Sequence, residues 1–169
     1  NLNFFNTKAI KLISVGRLVD QKDHVTLLKA VNIIKNEFDF RLLIIGRGEN
    51  KPKLDYLIKK NNLKKFVKII PFQQNPLKFI KRSDLFLLSS KYEGLPNVLL
   101  EAQCLKKFII STNCPTGPRE ILLNGTLGEL VDVGNHKKMA SKIILFKKQM
   151  KHKLIKKKIK LSYKNLSRF

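Results

Sequence analysis

The feature that most constrains this chain is a regular alternation of very short apolar runs with longer segments of helical period. Ile10 to Val15 is apolar and rich in β-branched residues. From about Asp23 to Asn36, the residues Val25, Leu27, Leu28, Val31 and Ile34 recur at helical spacing. The pattern continues with a strand over Arg41 to Ile45, a helix over Leu54 to Asn61, a strand over Phe66 to Ile70 and a helix over Pro76 to Lys81. It then gives a strand over Leu85 to Leu88, a helix starting near Pro96, a strand over Phe108 to Ser111 and a helix from about Asn135. Strands so short and so uniformly apolar fit a parallel sheet with helices on both faces. The predicted fold is therefore α/β, a doubly wound Rossmann-like parallel sheet. Ligands of such a sheet sit outside the carboxyl ends of its strands.

Length and composition bound the reading without deciding it. A chain of 169 residues is the size of one domain with a full core, and 43% hydrophobic content excludes a disordered chain. No apolar run approaches the ~20 residues that span a bilayer, and the start carries no signal-peptide pattern. Cys104 and Cys114 lack metal-ligand spacing and read as reduced thiols of a cytoplasmic protein. The net charge of +23 admits nucleic-acid binding, contact with an anionic membrane, or a plain bias toward lysine. Lysine far outnumbers arginine, the usual reader of base edges, so sequence-specific nucleic-acid recognition is set aside. Beyond Asp132 no acidic residue follows. Lysines recur from Lys137 to Lys164 among Ile143, Ile144, Leu145, Ile155 and Ile159, giving a helix and then a basic tail over 151–169.

The loops that would form a site carry small, polar or charged residues: Gly16-Arg17, Gly46-Arg47-Gly48, Tyr92-Glu93-Gly94, and Thr112 to Gly117. Arg17 and Lys22 follow the first strand and form either a diphosphate clamp or two solvated cations. This is not a dinucleotide fingerprint, because the third glycine is missing; "GRGEN" reads as a tight turn. The segment "SSKYEGLPNVLLEA" sets Glu93 just before a helix start and Glu101 one turn inside it. A proline in the first turn suits that start, and its free amides form an anion seat. Carboxylates on either side of a phosphate seat suit a ligand with hydroxyls at both ends of a diphosphate. The plainer reading makes Glu93 a helix-dipole partner and Glu101 an exposed helix residue.

With "VGRLVDQKD", "EGLPNVLLEA" and "CPTGPREIL" in that order, the chain resembles the C-terminal, donor-binding half of GT-B retaining glycosyltransferases of the group 1, or family 4, class. The resemblance runs from about Ile10 to Lys148, and "CPTGPREIL" is most similar to bacterial enzymes of lipopolysaccharide, capsule and other surface-glycan synthesis. It implies that Arg17 and Lys22 hold the donor diphosphate and that Glu93 contacts the donor sugar. The backbone from Gly94 through Leu95, Pro96 and Asn97 to Val98 would line sugar and phosphate, and Glu101 would bind the ribose. The nucleobase would lie near Phe72 and Gln73, although Phe72 also fits a core position. No metal or other cofactor is implied. The donor would be a nucleotide diphosphate sugar, UDP-linked, carrying a hexose or N-acetylhexosamine. Pro71, Pro96 and Asp23 stand where glycine is frequent in the class. Cys114 reads as a small loop residue or a reactive thiol, Arg119 and Glu120 as loop-closing groups or partners of each other, and His24 as a helix-start residue.

The same resemblance implies an N-terminal acceptor domain that these residues do not encode. Residues 1–9 resemble the linker entering the second half, and 10–150 the nucleotide-sugar-binding domain. Three readings follow: a donor domain, fused or split from its acceptor partner; a non-catalytic remnant or regulatory subunit that keeps nucleotide affinity; or a basic membrane-surface or nucleic-acid-binding protein. The first also admits peripheral contact of the basic tail with the inner face of the cell membrane.

Overall fold

A computed structural model describes residues 2–168. Six parallel strands form one sheet: β1 (Ile10–Val15), β2 (Phe40–Ile45), β3 (Val67–Ile70), β4 (Leu85–Leu88), β5 (Phe108–Thr112) and β6 (Glu129–Val131). Their spatial order is β3-β2-β1-β4-β5-β6. The chain winds outward from β1 in one direction, then returns to β4 and winds in the other. The reversal between β1 and β4 opens a crevice at the carboxyl edge, because the following loops turn away from each other there.

The helices are α1 (His24–Ile34), α2 (Lys51–Lys60), α3 (Leu77–Arg82), α4 (Asn97–Cys104), α5 (Pro118–Ile121), α6 (His136–Gln149) and α7 (Lys153–Lys164). They divide between the two faces and bury two cores. One unites Leu12, Leu42, Ile44 and Leu87 with Leu27, Val31, Leu54, Met139, Ile143 and Ile155. The other unites Ile13, Leu43, Phe86 and Ile109 with Phe79, Ile80, Leu99, Ala102 and Ile121. Alternate strand residues thus serve opposite faces, which is why the strands show no polar side.

Five strands and most helices match the sequence periodicity to within a few residues. The periodicity does not reveal β6 and α5, each too short to display a period. Helix α2 begins at Lys51 rather than Leu54, with Pro52 in its first turn where a missing amide costs nothing. The basic segment forms α7, docked on the domain through buried Ile155 and through Lys158. That ammonium donates to the Gly125 and Gly128 carbonyls and to Glu129. At the other end, Phe5 is buried in the second core. Asn1 and Phe169 of the two predicted terminal segments lie outside the described residues.

Candidate functional site

Strands β1 and β2 end alike, in Val15-Gly16-Arg17 and Ile45-Gly46-Arg47. Their parallel register pairs Val15 with Ile45, so the two Gly-Arg steps leave the sheet side by side. The loops touch backbone to backbone. Leu18 donates its amide to the Arg47 carbonyl at 2.9 Å, and Asn50 donates to the Leu18 carbonyl at 2.9 Å. A Cβ on Gly46 would lie 1.9 Å from the Gly16 carbonyl oxygen, so only glycine fits there.

A cavity of about 470 Å³ opens at this point, walled by Val15, Gly16, Ile45 and Gly46 below, and by Val98 and Glu101 of α4 at the side. Arg17, Arg47, Phe72, Gln73, Gln74 and Pro76 complete its rim. It lies at the carboxyl edge, where the winding reverses. Glu101 is partly buried, and its Oε2 is enclosed without a hydrogen-bond partner. Burial raises its carboxyl above the usual range. An enclosed carboxylate oxygen lacking a donor is costly unless a ligand or water supplies one.

Lys22 and Glu93 do not line the cavity; they form an ion pair beside it. The Lys22 ammonium lies 2.5 Å from Glu93 Oε1, with both side chains largely buried. The lysine stem passes about 3.5 Å from the Cβ position of Gly16, so the pair abuts the cavity floor. Ser90 donates its hydroxyl to the same carboxylate oxygen at 2.5 Å, and Ser89 donates to the Lys22 carbonyl at 2.8 Å. Gln21 donates to the Tyr92 carbonyl at 3.0 Å and accepts the Lys91 amide through its own carbonyl at 2.8 Å. The Asp20–Lys22 turn is thereby stitched to the loop after β4.

The loop after β5 closes over this layer. Thr112 donates its hydroxyl to the Ser90 carbonyl at 2.6 Å, Cys114 donates its thiol to the same carbonyl at 3.1 Å, and Thr116 donates to the Glu93 carbonyl. Gly117 has φ of +74°, and a Cβ there would meet the Gly94 carbonyl oxygen at 2.1 Å. Burial pushes the Cys114 thiol up, which fits a structural cysteine and not a reactive one. Arg119 donates to Asn113 at 3.0 Å; no ion pair joins it to Glu120 among the described residues.

Of the residues singled out in the sequence, Arg17, Phe72, Gln73, Val98 and Glu101 share the cavity wall. Phe72 is 60% exposed, which overturns its reading as a core aromatic. Gln73 spends its amide on the Pro71 and Phe72 carbonyls of its own loop. Gly94 and Leu95 are exposed beyond the cavity, Pro96 is buried at the helix entry, and Asn97 opens α4 on the surface. Arg17 donates to the Gln21 side-chain oxygen at 3.2 Å. Asp23 has φ of +40°, the left-handed region, and caps α1 by accepting the Thr26 amide. His24 follows it into the core, and desolvation lowers its pKa to about 4, with the Lys22 charge adding to the effect.

Arg47 stands in the sequence only as part of a site-forming loop, with "GRGEN" read as a tight turn and no role for the side chain. Its guanidinium carbon sits 5.6 Å from the centre of the Phe72 ring, over the cavity rim. The signal lay in the repeated Gly-Arg at two strand ends. The assembled site presents two guanidinium groups, one exposed aromatic face and one unpartnered carboxylate oxygen. Such a set can take an anionic ligand that also carries a planar ring and hydroxyl donors.

Residues 2–161 match the family model described as glycosyl transferases group 1. The chain is 45% identical, over 111 residues, to an uncharacterized glycosyltransferase of Methanocaldococcus jannaschii, covering 65% of this chain and 27% of that protein. It is 35% identical over 128 residues to the Campylobacter jejuni N-acetylgalactosamine-N,N'-diacetylbacillosaminyl-diphospho-undecaprenol 4-alpha-N-acetylgalactosaminyltransferase, covering 76% and 34%. The match thus spans between about a quarter and a third of the length of these relatives. Among solved structures, a glycosyltransferase of Rickettsia africae superposes with a TM-score of 0.91 at 22% identity, over 99% of this chain and 45% of that one. The pneumococcal O-GlcNAc transferase GtfA, solved with UDP and GlcNAc, superposes at 0.84 with 21% identity, over 96% and 33%.

Proposed function

Because this chain belongs to the group 1 glycosyl transferases, we propose that it binds the nucleotide diphosphate sugar, a UDP-sugar, from which a retaining enzyme of surface-glycan synthesis transfers a hexose or N-acetylhexosamine. The observation that carries the proposal is the enclosed, unpartnered Oε2 of Glu101 in a cavity that Arg17 and Arg47 rim. A ribose diol supplies the hydrogen-bond donors that oxygen lacks. The adjoining guanidinium groups supply charge for a diphosphate, and the exposed Phe72 face supplies a platform for a planar base. The UDP bound in the pneumococcal structure and the name of the Campylobacter relative, an N-acetylgalactosaminyltransferase, support the ligand class.

In the proposed reaction, the bond between the anomeric carbon and the diphosphate oxygen breaks with its electron pair leaving on the diphosphate, while the acceptor hydroxyl oxygen bonds to that carbon and its proton passes to the departing diphosphate or to solvent. Arg17 offers a planar fork to the phosphate oxygens, where its charge counts most as the leaving group gains its own. Lys22 is held beside the cavity floor by Glu93, whose carboxylate Ser90 fixes in turn, so its charge is positioned before any ligand arrives. A phosphate oxygen competing for Lys22 would free Glu93 to accept from the hydroxyls of the donor sugar. The acceptor hydroxyl would come from a second domain facing the carboxyl edge, and its positioning is the other large part of the rate.

Calorimetric titration of UDP tests the proposal. Binding should saturate one site and weaken roughly tenfold or more with Arg17→Ala or Glu101→Gln, the scale of losing a hydrogen bond to a charged group. Absence of UDP binding, or affinity indifferent to both substitutions, would remove the reading.

A further inference from the structure

Helix α7 uses one side for folding and leaves the other unoccupied. Ile155 and Ser162 are buried, and Lys158 is held against Glu129. Lys153, Lys156, Lys157, Lys160 and Lys164 are all exposed and recur at helical spacing along the outer side. Exposed apolar residues flank that ridge: Leu154 and Leu161 on one side, and Tyr163 on the other beside half-buried Ile159. Between α7 and the turn after α4 lies a cleft of about 490 Å³, lined by Lys106, Lys156, Ile159, Lys160, Tyr163 and Lys164. The Lys106 ammonium stands 4.7 Å from the centre of the Tyr163 ring. Lys106 precedes β5, so the cleft opens at the amino edge of the sheet, opposite the cavity described above.

We infer that this cleft and ridge bind an anionic phospholipid surface, the cleft seating a phosphate headgroup among its lysines and the flanking leucines and tyrosine entering the interface. Two features carry the inference. The charge of α6 and α7 has one sign, since no acidic residue occurs beyond Asp132, and among the described residues the ion pairs of Lys142 and Lys158 go to a single carboxylate, Glu129, while Asp84 at the same edge accepts the Lys11 amide and stands near Lys107. The cleft floor is also apolar and aromatic, which a merely solvated lysine face does not need. Basic residues near an anionic bilayer each add to adsorption, and interfacial tyrosine with aliphatic neighbours adds the apolar part. A nucleic-acid strand is the less fitting occupant: the leucine flank has no counterpart in a polyanion, and a single tyrosine gives one stacking platform instead of a series. Adsorption through the amino edge leaves the carboxyl-edge cavity facing away from the bilayer.

Co-sedimentation of the chain with vesicles tests this. Binding is expected to vesicles of phosphatidylglycerol mixed with phosphatidylcholine, and not to phosphatidylcholine alone. Replacing Lys156, Lys160 and Lys164 by glutamate should abolish it, since each lysine near the surface contributes roughly fivefold. The control Lys53→Glu, Lys78→Glu, Lys137→Glu changes the net charge equally at the carboxyl edge and should retain most of the binding. Leu154→Ser with Leu161→Ser should weaken the fraction that persists at high salt. Circular dichroism of each variant separates lost binding from lost fold, and UDP affinity of the α7 variant should be unchanged. Equal losses in the two lysine triples would assign any adsorption to bulk charge and overturn the inference. So would an absence of binding to the anionic vesicles, or a preference for single-stranded RNA over them at equal salt.

Discussion

The Lys22–Glu93 contact sets the cost of single substitutions at this edge of the sheet. Both side chains are largely out of water, and the carboxylate is further fixed by Ser90. Removing one charge strands the other in a site built for two, a loss of about 3–5 kcal/mol. Lys22→Met alone should lower urea stability on that scale, whereas Lys22→Met combined with Glu93→Leu should recover most of it. A single-variant loss below about 0.5 kcal/mol, the range of ordinary surface changes, would mean the pair is solvated. His24 supplies a second residue-scale expectation, in pH. Its folded pKa of about 4 lies below the ordinary 6.5, so between those values the unfolded chain binds the extra proton. Its contribution is therefore full above pH ~6.5 and fades as pH falls toward 4, by roughly 3 kcal/mol in all. Urea midpoints at several pH values should show this fall, and His24→Asn should flatten it.

At the scale of single elements, α1 depends on an unusual cap. Asp23 occupies a left-handed conformation while its carboxylate accepts the Thr26 amide and hydroxyl. The cap favours aspartate, whereas the backbone favours glycine. Asp23→Ala loses the cap and keeps the strain, and should cost about 1–2 kcal/mol in thermal or urea unfolding; Asp23→Gly should cost only a few tenths. Equal losses for the two would show that φ is not what constrains this position. Elements with a full apolar period, such as β1, β2 and α1, were legible in the sequence because their pattern is their packing. The three-residue β6 and four-residue α5 were not, since neither completes a period. In the candidate site, Arg17 and Glu101 were legible from local motifs. The direct pairing of Lys22 with Glu93 was hidden because it spans 71 positions of chain, and the cavity role of Arg47 because it depends on the β1–β2 register.

At the scale of the whole molecule, the net charge of +23 opposes folding. Compaction brings lysines of α2, α6 and α7 within range of one another, and few carboxylates offset them, so self-repulsion is larger in the folded state than in the extended chain. The ion pairs do not reverse this sign. Lys22–Glu93 is shielded from solvent, so added salt screens it little, while Lys51–Asp55 is exposed and weak at any ionic strength. Screening should therefore act mainly on the repulsion. Raising NaCl from about 20 mM to about 500 mM shortens the Debye length from roughly 20 Å to roughly 4 Å. The melting temperature should rise across that range, and rise further with sulfate, which is also excluded from the protein surface. The control triple Lys53→Glu, Lys78→Glu, Lys137→Glu lowers the net charge by six without touching α7, and its melting temperature should depend less on salt. A melting temperature that falls with added NaCl would mean that ion pairs outweigh repulsion in this fold.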